Sequence, residues 1–165
     1  MHVLKDTAGL SKGETYAELN QQLVGLFTGE RDGLANTANM AAALYTLLPD
    51  LNWAGFYFLK GGELVLGPFQ GKVACVRIAL NRGVCGAAAS RRETVIVPDV
   101  ESFPGHIACD HASRSEIVVP LIQEGRLLGV LDLDSPNLAR FDAADSEGLN
   151  QAVAGLLAAS DFTWL

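Results

Sequence analysis

Ser115-Glu116-Ile117-Val118-Val119-Pro120-Leu121-Ile122-Gln123-Glu124-Gly125-Arg126-Leu127-Leu128-Gly129-Val130-Leu131-Asp132-Leu133-Asp134-Ser135 is the stretch whose reading decides the fold. Two apolar runs, Ile117 to Gln123 and Leu127 to Asp134, flank the turn residue Gly125 and predict a β-hairpin. Strand side chains alternate between faces, so Asp132 and Asp134 share one face. Leu127, Leu131 and Leu133 are expected on the other, against a core. The turn decides where Glu116 goes. A three-residue loop puts it on the face of the Asp pair, and a two-residue loop puts it on the opposite face. We take the odd loop, which gathers three acidic side chains on one sheet face.

Upstream of this hairpin the chain reads as β-rich. Asn52 to Leu59 is an aromatic strand, Gly61-Gly62 a turn and Glu63 to Phe69 the returning strand. Val73 to Leu80 is expected as a further strand carrying Cys75. The Ala-rich segment Gly83 to Arg91 predicts a short helix carrying Cys85, and Thr94 to Val97 a short strand. Pro98 to Arg114 is then a long irregular segment with two prolines, His106, Cys109 and His111. Loops of that length are uncommon in compact domains and are usually functional.

Helices are expected at both ends. Tyr16, Leu19, Leu23 and Leu26 form the stripe of a helix from Tyr16 to Phe27, capped by Thr15 and Glu18. Leu34, Ala38, Ala41, Tyr45 and Leu48 form the stripe of a helix from Asp32 to Leu48, stopped by Pro49. Asp142 caps a last helix whose stripe is Leu149, Val153, Leu156 and Leu157. The pattern predicts one α+β domain over residues 1–165. Its central antiparallel sheet carries the terminal helices on one face. A pocket roofed by the long loop and the short helix lies on the other.

The bulk numbers exclude several classes. In 165 residues, 49% are hydrophobic and 19% charged, which fits a globular chain rather than disorder. A net charge of -7 with only 12 Lys and Arg argues against nucleic acid and anionic lipid as partners. No signal-peptide core or membrane span is visible, so the expected location is the cytoplasm, a reducing compartment. Three Cys fit no structural disulfide framework and are expected as thiols.

Those thiols and carboxylates are the candidate chemistry. Cys85 lies near a helix amino terminus, whose dipole lowers a thiol pKa. Cys109 lies between His106 and His111, which can stabilise its thiolate. Buried Cys is also a common small hydrophobe, and Cys75 on a strand fits that reading as well. His106, Cys109 and His111 are zinc-ligand types, but they lack any C-x-x-C spacing, and no metal is expected. Two carboxylates on one face raise at least one pKa, which suits cation binding or proton donation. A solvated strand end is the plain alternative. Trp53, Gly55 and Tyr57 share one strand face, and Phe56 and Phe58 share the other. One face is core, and the other can wall a small apolar cavity. There is no P-loop, no G-x-G-x-x-G and no G-x-S-x-G, and no cofactor is expected.

Asn52-Trp53-Ala54-Gly55-Phe56-Tyr57, the spacing of Cys75 and Cys85, the Cys109 loop, Ser115 to Pro120 and Gly129 to Ser135 together resemble the free methionine-R-sulfoxide reductase family. The resemblance covers nearly the whole chain. It implies a GAF-domain fold and reduction of the free amino acid. It implies Cys109 as nucleophile and Cys75 and Cys85 as recycling thiols. Glu116, Asp132 and Asp134 would bind substrate, with Trp53 at the methyl pocket and Tyr57 beside it. A dithiol donor such as thioredoxin would restore the thiols, and a homodimer is compatible with GAF domains in general. Two rival readings are a non-catalytic GAF sensor of a small molecule, faintly suggested by Phe141 and Asp145, and a thiol redox sensor.

Overall fold

The computed structural model describes residues 3–106 and 110–165. Along the chain run α1 (Lys12–Phe27), α2 (Gly33–Leu47), β1 (Trp53–Lys60), β2 (Glu63–Gly71), β3 (Arg77–Ala79), α3 (Gly83–Arg91) and β4 (Val95–Val97). A 3-10 turn (Val100–Ser102), β5 (Ser115–Gln123), β6 (Arg126–Ser135) and α4 (Ala143–Ala159) follow. The strands form one sheet in the order β3-β2-β1-β6-β5-β4. Every neighbouring pair is antiparallel.

The hairpin of β5 and β6 reaches the expected arrangement by another route. Its turn has two residues, Glu124 and Gly125, between the paired Gln123 and Arg126. Both have positive φ, 51° and 77°, as the turn type that follows strand twist requires. Alone, that turn would have put Glu116 opposite Leu133. The ladder slips instead: Ile122 pairs with Leu127, and Leu121 with Gly129. Leu128 is therefore an extra residue, a β-bulge. Beyond the bulge Glu116 pairs with Asp134, on the acidic face. The bulge also turns Leu127 away from the helices. It packs with Val130 on the pocket side, while Leu128 takes the helix side.

The helix reading needs two corrections. The first helix starts at Lys12 because Ser11 and Glu14, not Thr15 and Glu18, form the capping box. In α2 the buried face carries Asn36, Thr37, Met40, Leu44 and Leu47. Leu34 and Tyr45 lie outside, 53% and 38% exposed. The buried face tolerates polar residues because they are bonded. Asn36 donates to the Ser160 hydroxyl at 2.9 Å, and Thr37 donates to the Gly33 carbonyl at 2.8 Å. Of the expected stripe, Ala41 and Leu48 are buried as predicted, whereas Leu34, Ala38 and Tyr45 lie outside. At the far end Asp142 caps α4 as expected, with Asp145 closing the box. Asp145 is buried and also accepts from Tyr16, Arg140 and Lys12, which ties α1 to α4.

The strand expected over Val73 to Leu80 is only three residues long, and Cys75 lies in irregular chain before it. Here β3 pairs only with Glu63 to Val65 at the start of β2, and one further bond joins Leu66 N–H to the Val76 carbonyl.

α1, α2 and α4 cover one sheet face over Phe56, Phe58, Ile117, Val119, Leu131 and Leu133. α3 covers part of the other, packing Val84, Cys85 and Ala88 with Tyr57, Val118 and Val130. Among the described residues no helix is long and apolar enough to cross a membrane.

Candidate active site

The pocket begins with an aromatic wall on β1. Trp53, Gly55 and Tyr57 alternate onto the face away from the three long helices. A Cβ on Gly55 would lie 2.7 Å from the Trp53 ring and 2.3 Å from Phe69 Cβ. Its absence leaves room for Trp53 to stack on Phe69, with ring centroids 5.3 Å apart. Trp53 Nε1 donates to the Lys72 carbonyl at 3.1 Å, and Tyr57 Oη donates to the Cys75 carbonyl at 3.0 Å. The wall is thus pinned at both ends.

The floor is acidic. Asp134 lies between Trp53 and Glu116 in the ladder, and Asp132 lies between Gly55 and Val118. α3 lowers Cys85 onto this floor, with Sγ 4.0 Å from Glu116 Oε1. Burial first, then mutual repulsion, raises all three carboxyls well above their ordinary values. Asp134 repels Glu116, Glu116 repels Asp132, and Asp132 repels Asp134. The Ser113 hydroxyl relieves Asp134 in part. Acids so placed bind protons more tightly than exposed carboxyls do, which suits proton donation.

Cys85 departs from expectation. Although it is the third residue of its helix, its pKa is raised well above that of a free thiol. Burial is the main cause, and the charges of Asp132 and Glu116 add to it. Desolvation and like charge outweigh the dipole of a nine-residue helix.

The long loop closes the remaining side. His106 Nε2 lies 3.6 Å from Glu116 Oε2, and burial lowers its pKa, so it favours the neutral form. That is the reverse of the cationic role expected beside a thiolate. His111 is exposed and does not line the pocket. Cys109 lies outside the described residues. Its described neighbours along the chain, His106 and Asp110, both line the pocket. The free space among these side chains is about 30 Å³, roughly enough for one or two waters.

Of the residues singled out from sequence, Trp53, Tyr57, Cys85, Glu116, Asp132 and Asp134 line this one pocket. Cys75 does not; it is half-buried in the segment that Tyr57 holds. The reading missed Asn52, Ser113 and Asp110. Asn52 Nδ2 donates to Ser113 Oγ at 3.0 Å and to Asp110 Oδ2 at 3.3 Å, and its N–H donates to the Asp134 carbonyl at 3.0 Å. Lys72 pairs with Asp110 at 3.2 Å. A backbone bond from Ala112 first, with Lys72 and Asn52 adding, lowers the Asp110 pKa. Asn52 therefore fastens the end of the long loop to the acidic strand. Its only sequence signal was its place beside Trp53.

Comparison with known proteins agrees with this geometry. Residues 22–160 match the model of the GAF domain family. The free methionine-R-sulfoxide reductase of Escherichia coli (strain K12) is 52% identical over 156 residues, 93% of this chain and 94% of that protein. The enzyme of the same name from Saccharomyces cerevisiae is 45% identical over 153 residues, 88% and 85% of the two chains. The X-ray structure of free methionine-R-sulfoxide reductase from Neisseria meningitidis, in complex with its substrate, superposes with a TM-score of 0.92 at 45% identity. It covers 96% of this chain and 95% of its own.

Proposed function

The chain belongs to the GAF domain family, and on that premise we propose that it reduces free L-methionine (R)-S-oxide to L-methionine in the cytosol, residues 1–165 acting as one domain. One observation carries the assignment of residues. Three carboxyls of raised proton affinity and the buried Cys85 converge on a pocket lined by His106 and Asp110, the described neighbours of Cys109.

Cys109 is the nucleophile. Its sulfur attacks the sulfoxide sulfur, Asp134 or Glu116 delivers the proton that the oxygen needs, and the hydroxyl then passes to the Cys109 sulfur as the methionine sulfur loses its bonds to oxygen and to Cys109. Methionine leaves with a thioether, and Cys109 keeps the oxygen as a sulfenic acid. Cys85 or Cys75 then attacks that sulfenic sulfur, forming a disulfide and releasing water. A dithiol donor of the thioredoxin type restores both thiols by exchange, becoming a disulfide itself. Burial, with the acidic neighbours adding, holds Cys85 as a thiol that is inert until a base takes its proton, which suits a resolving thiol better than an attacking one.

The acidic floor also accounts for the choice of free substrate. A free amino acid has an ammonium group, and a buried carboxylate attracts it. Trp53 and its stacked neighbours offer the apolar wall for the methyl group. Neither sensor reading needs this set. The acid Asp145, one of the two residues behind the sensor reading, is engaged in capping α4 and in its bonds to Tyr16, Lys12 and Arg140.

The test is a thioredoxin-coupled assay with each epimer of free methionine sulfoxide and with its N-acetyl derivative. Turnover is expected for the free R-epimer alone. Cys109→Ser should yield no methionine even in a single turnover, whereas loss of Cys75 or Cys85 should spare the first turnover and impair later ones. Equal use of the N-acetyl compound removes the ammonium argument, and a full first turnover by Cys109→Ser moves the nucleophile elsewhere.

A further inference from the structure

The pocket floor holds more than proton donors. Cys85 Sγ and one carboxylate oxygen each of Glu116 and Asp132 lie within 4.8 Å of one another, all on buried residues. A second observation is independent of that clustering. Asp132 is only 6% exposed; its side chain bonds with Cys85 and Glu116, but its Oδ1 has no hydrogen-bond partner among the described residues. A buried acceptor without a donor is costly and marks a place where a cation would be stabilised. His106, a nitrogen donor, stands 3.6 Å from the other oxygen of Glu116.

The donor types discriminate between cations. Calcium takes six to eight oxygens and magnesium keeps several waters, and a pocket with about 30 Å³ of free space and a sulfur donor suits neither. Sulfur with carboxylate oxygen and an imidazole at the rim is a set for zinc and its neighbours in the first transition row. Zinc bonds of about 2.0–2.3 Å require ligand atoms roughly 3.3–3.8 Å apart. The present spread therefore closes by about an ångström, within the reach of side-chain rotation.

We propose that the reduced protein binds one zinc-like divalent ion through Cys85, Glu116 and Asp132, with water as fourth ligand, in competition with substrate. The site differs from the His106, Cys109 and His111 grouping and does not require Cys109. It couples metal to redox state. When Cys85 enters a disulfide, two thiols give two electrons to methionine sulfoxide and its oxygen leaves as water. The thiolate ligand is consumed and the metal is released. Zinc would hold the reduced enzyme idle until substrate displaces it, and the disulfide form that turnover leaves would not rebind it before reduction.

The experiment titrates the reduced full-length chain with Co²⁺ under argon, without substrate, so that its outcome does not depend on turnover. A thiolate-to-cobalt charge-transfer band should grow to one equivalent, vanish on adding Zn²⁺, and fail to form in the disulfide form. Cys85→Ser should abolish the band and weaken binding roughly 100-fold or more, and Asp132→Asn roughly 10-fold or more. Cys75→Ser and Cys109→Ser should keep it. Circular dichroism confirms the fold of each variant, and Asp132→Asn provides a second readout should Cys85→Ser misfold. No band at saturation, a band surviving in Cys85→Ser, or a band lost in Cys109→Ser overturns the proposal.

Discussion

The two faces of the central sheet are built from alternate residues of the same strands, and they obey opposite rules. Leu131 and Leu133 on β6 are fully buried beneath the helices, among Phe56, Ile117 and Val119. Asp132 and Asp134, one residue away, sit on the other face against Glu116 and Cys85. Burial stabilises the first pair by about 25 cal/mol per Å² of apolar area. The same burial destabilises the second pair whenever it ionises. One face therefore supplies stability, and the other holds groups whose protonation the fold has displaced for chemistry. A pleat with period two keeps the two apart without a second domain.

Substitutions that trade one face against the other test this division. The largest effect is expected from Glu116→Gln or Asp134→Asn, which remove a proton donor from the floor. kcat/KM should fall about 100- to 10,000-fold, while thermal melting shows stability unchanged or increased. A matching loss of stability would mean that the floor also holds the fold together. Leu133→Ala attacks the other face. It should destabilise by about 2–5 kcal/mol in urea unfolding and leave kcat per folded molecule within a few-fold of the parent. A large fall in kcat would break the separation.

Ionisation sharpens the contrast. The floor carboxyls titrate higher when folded than when unfolded, so the folded state binds the extra protons. Their favourable contribution is complete below the unfolded value of about 4 and is lost as pH rises toward the raised values. Asp132→Asn cannot ionise at that position. Its stability relative to the parent should therefore grow as pH rises above the unfolded value of about 4, read as the difference in urea midpoints. A difference that shrinks with pH would contradict the burial argument. The smallest effect is expected for Tyr57→Phe, which loses the bond to the Cys75 carbonyl. Stability should fall by about 1 kcal/mol, with the first turnover intact and recycling slowed.

Much of this division was legible in the sequence. Alternation along Leu131 to Asp134 and along Trp53 to Phe58 assigned faces correctly, because a strand has one period and both faces differ in polarity. Asp142 was readable because a cap acts locally. Leu127 was misplaced because a bulge adds no unusual letter to the sequence. The stripe of α2 was read only in part, because Thr37 is buried with its hydroxyl bonded to the helix backbone and Asn36 through bonds to Glu30 and Ser160 beyond the helix. The raised pKa of Cys85 was hidden for a related reason: the burial that mainly causes it, and the carboxylates that add to it, come from strands more than thirty residues away. Asn52 gave no signal, since its partners Asp110 and Ser113 lie across a long loop.

The extra residue at Leu128 has a consequence for changes of length. Deleting it leaves a regular two-residue hairpin in which Glu116 still faces Asp134, because the slip it introduced disappears with it. The outer arm of the hairpin thus acts as slack between its exposed tip and the acidic floor. Trimming one residue there is absorbed locally, while trimming one between Gly129 and Asp134 rotates the reactive edge into the oil of the helix layer.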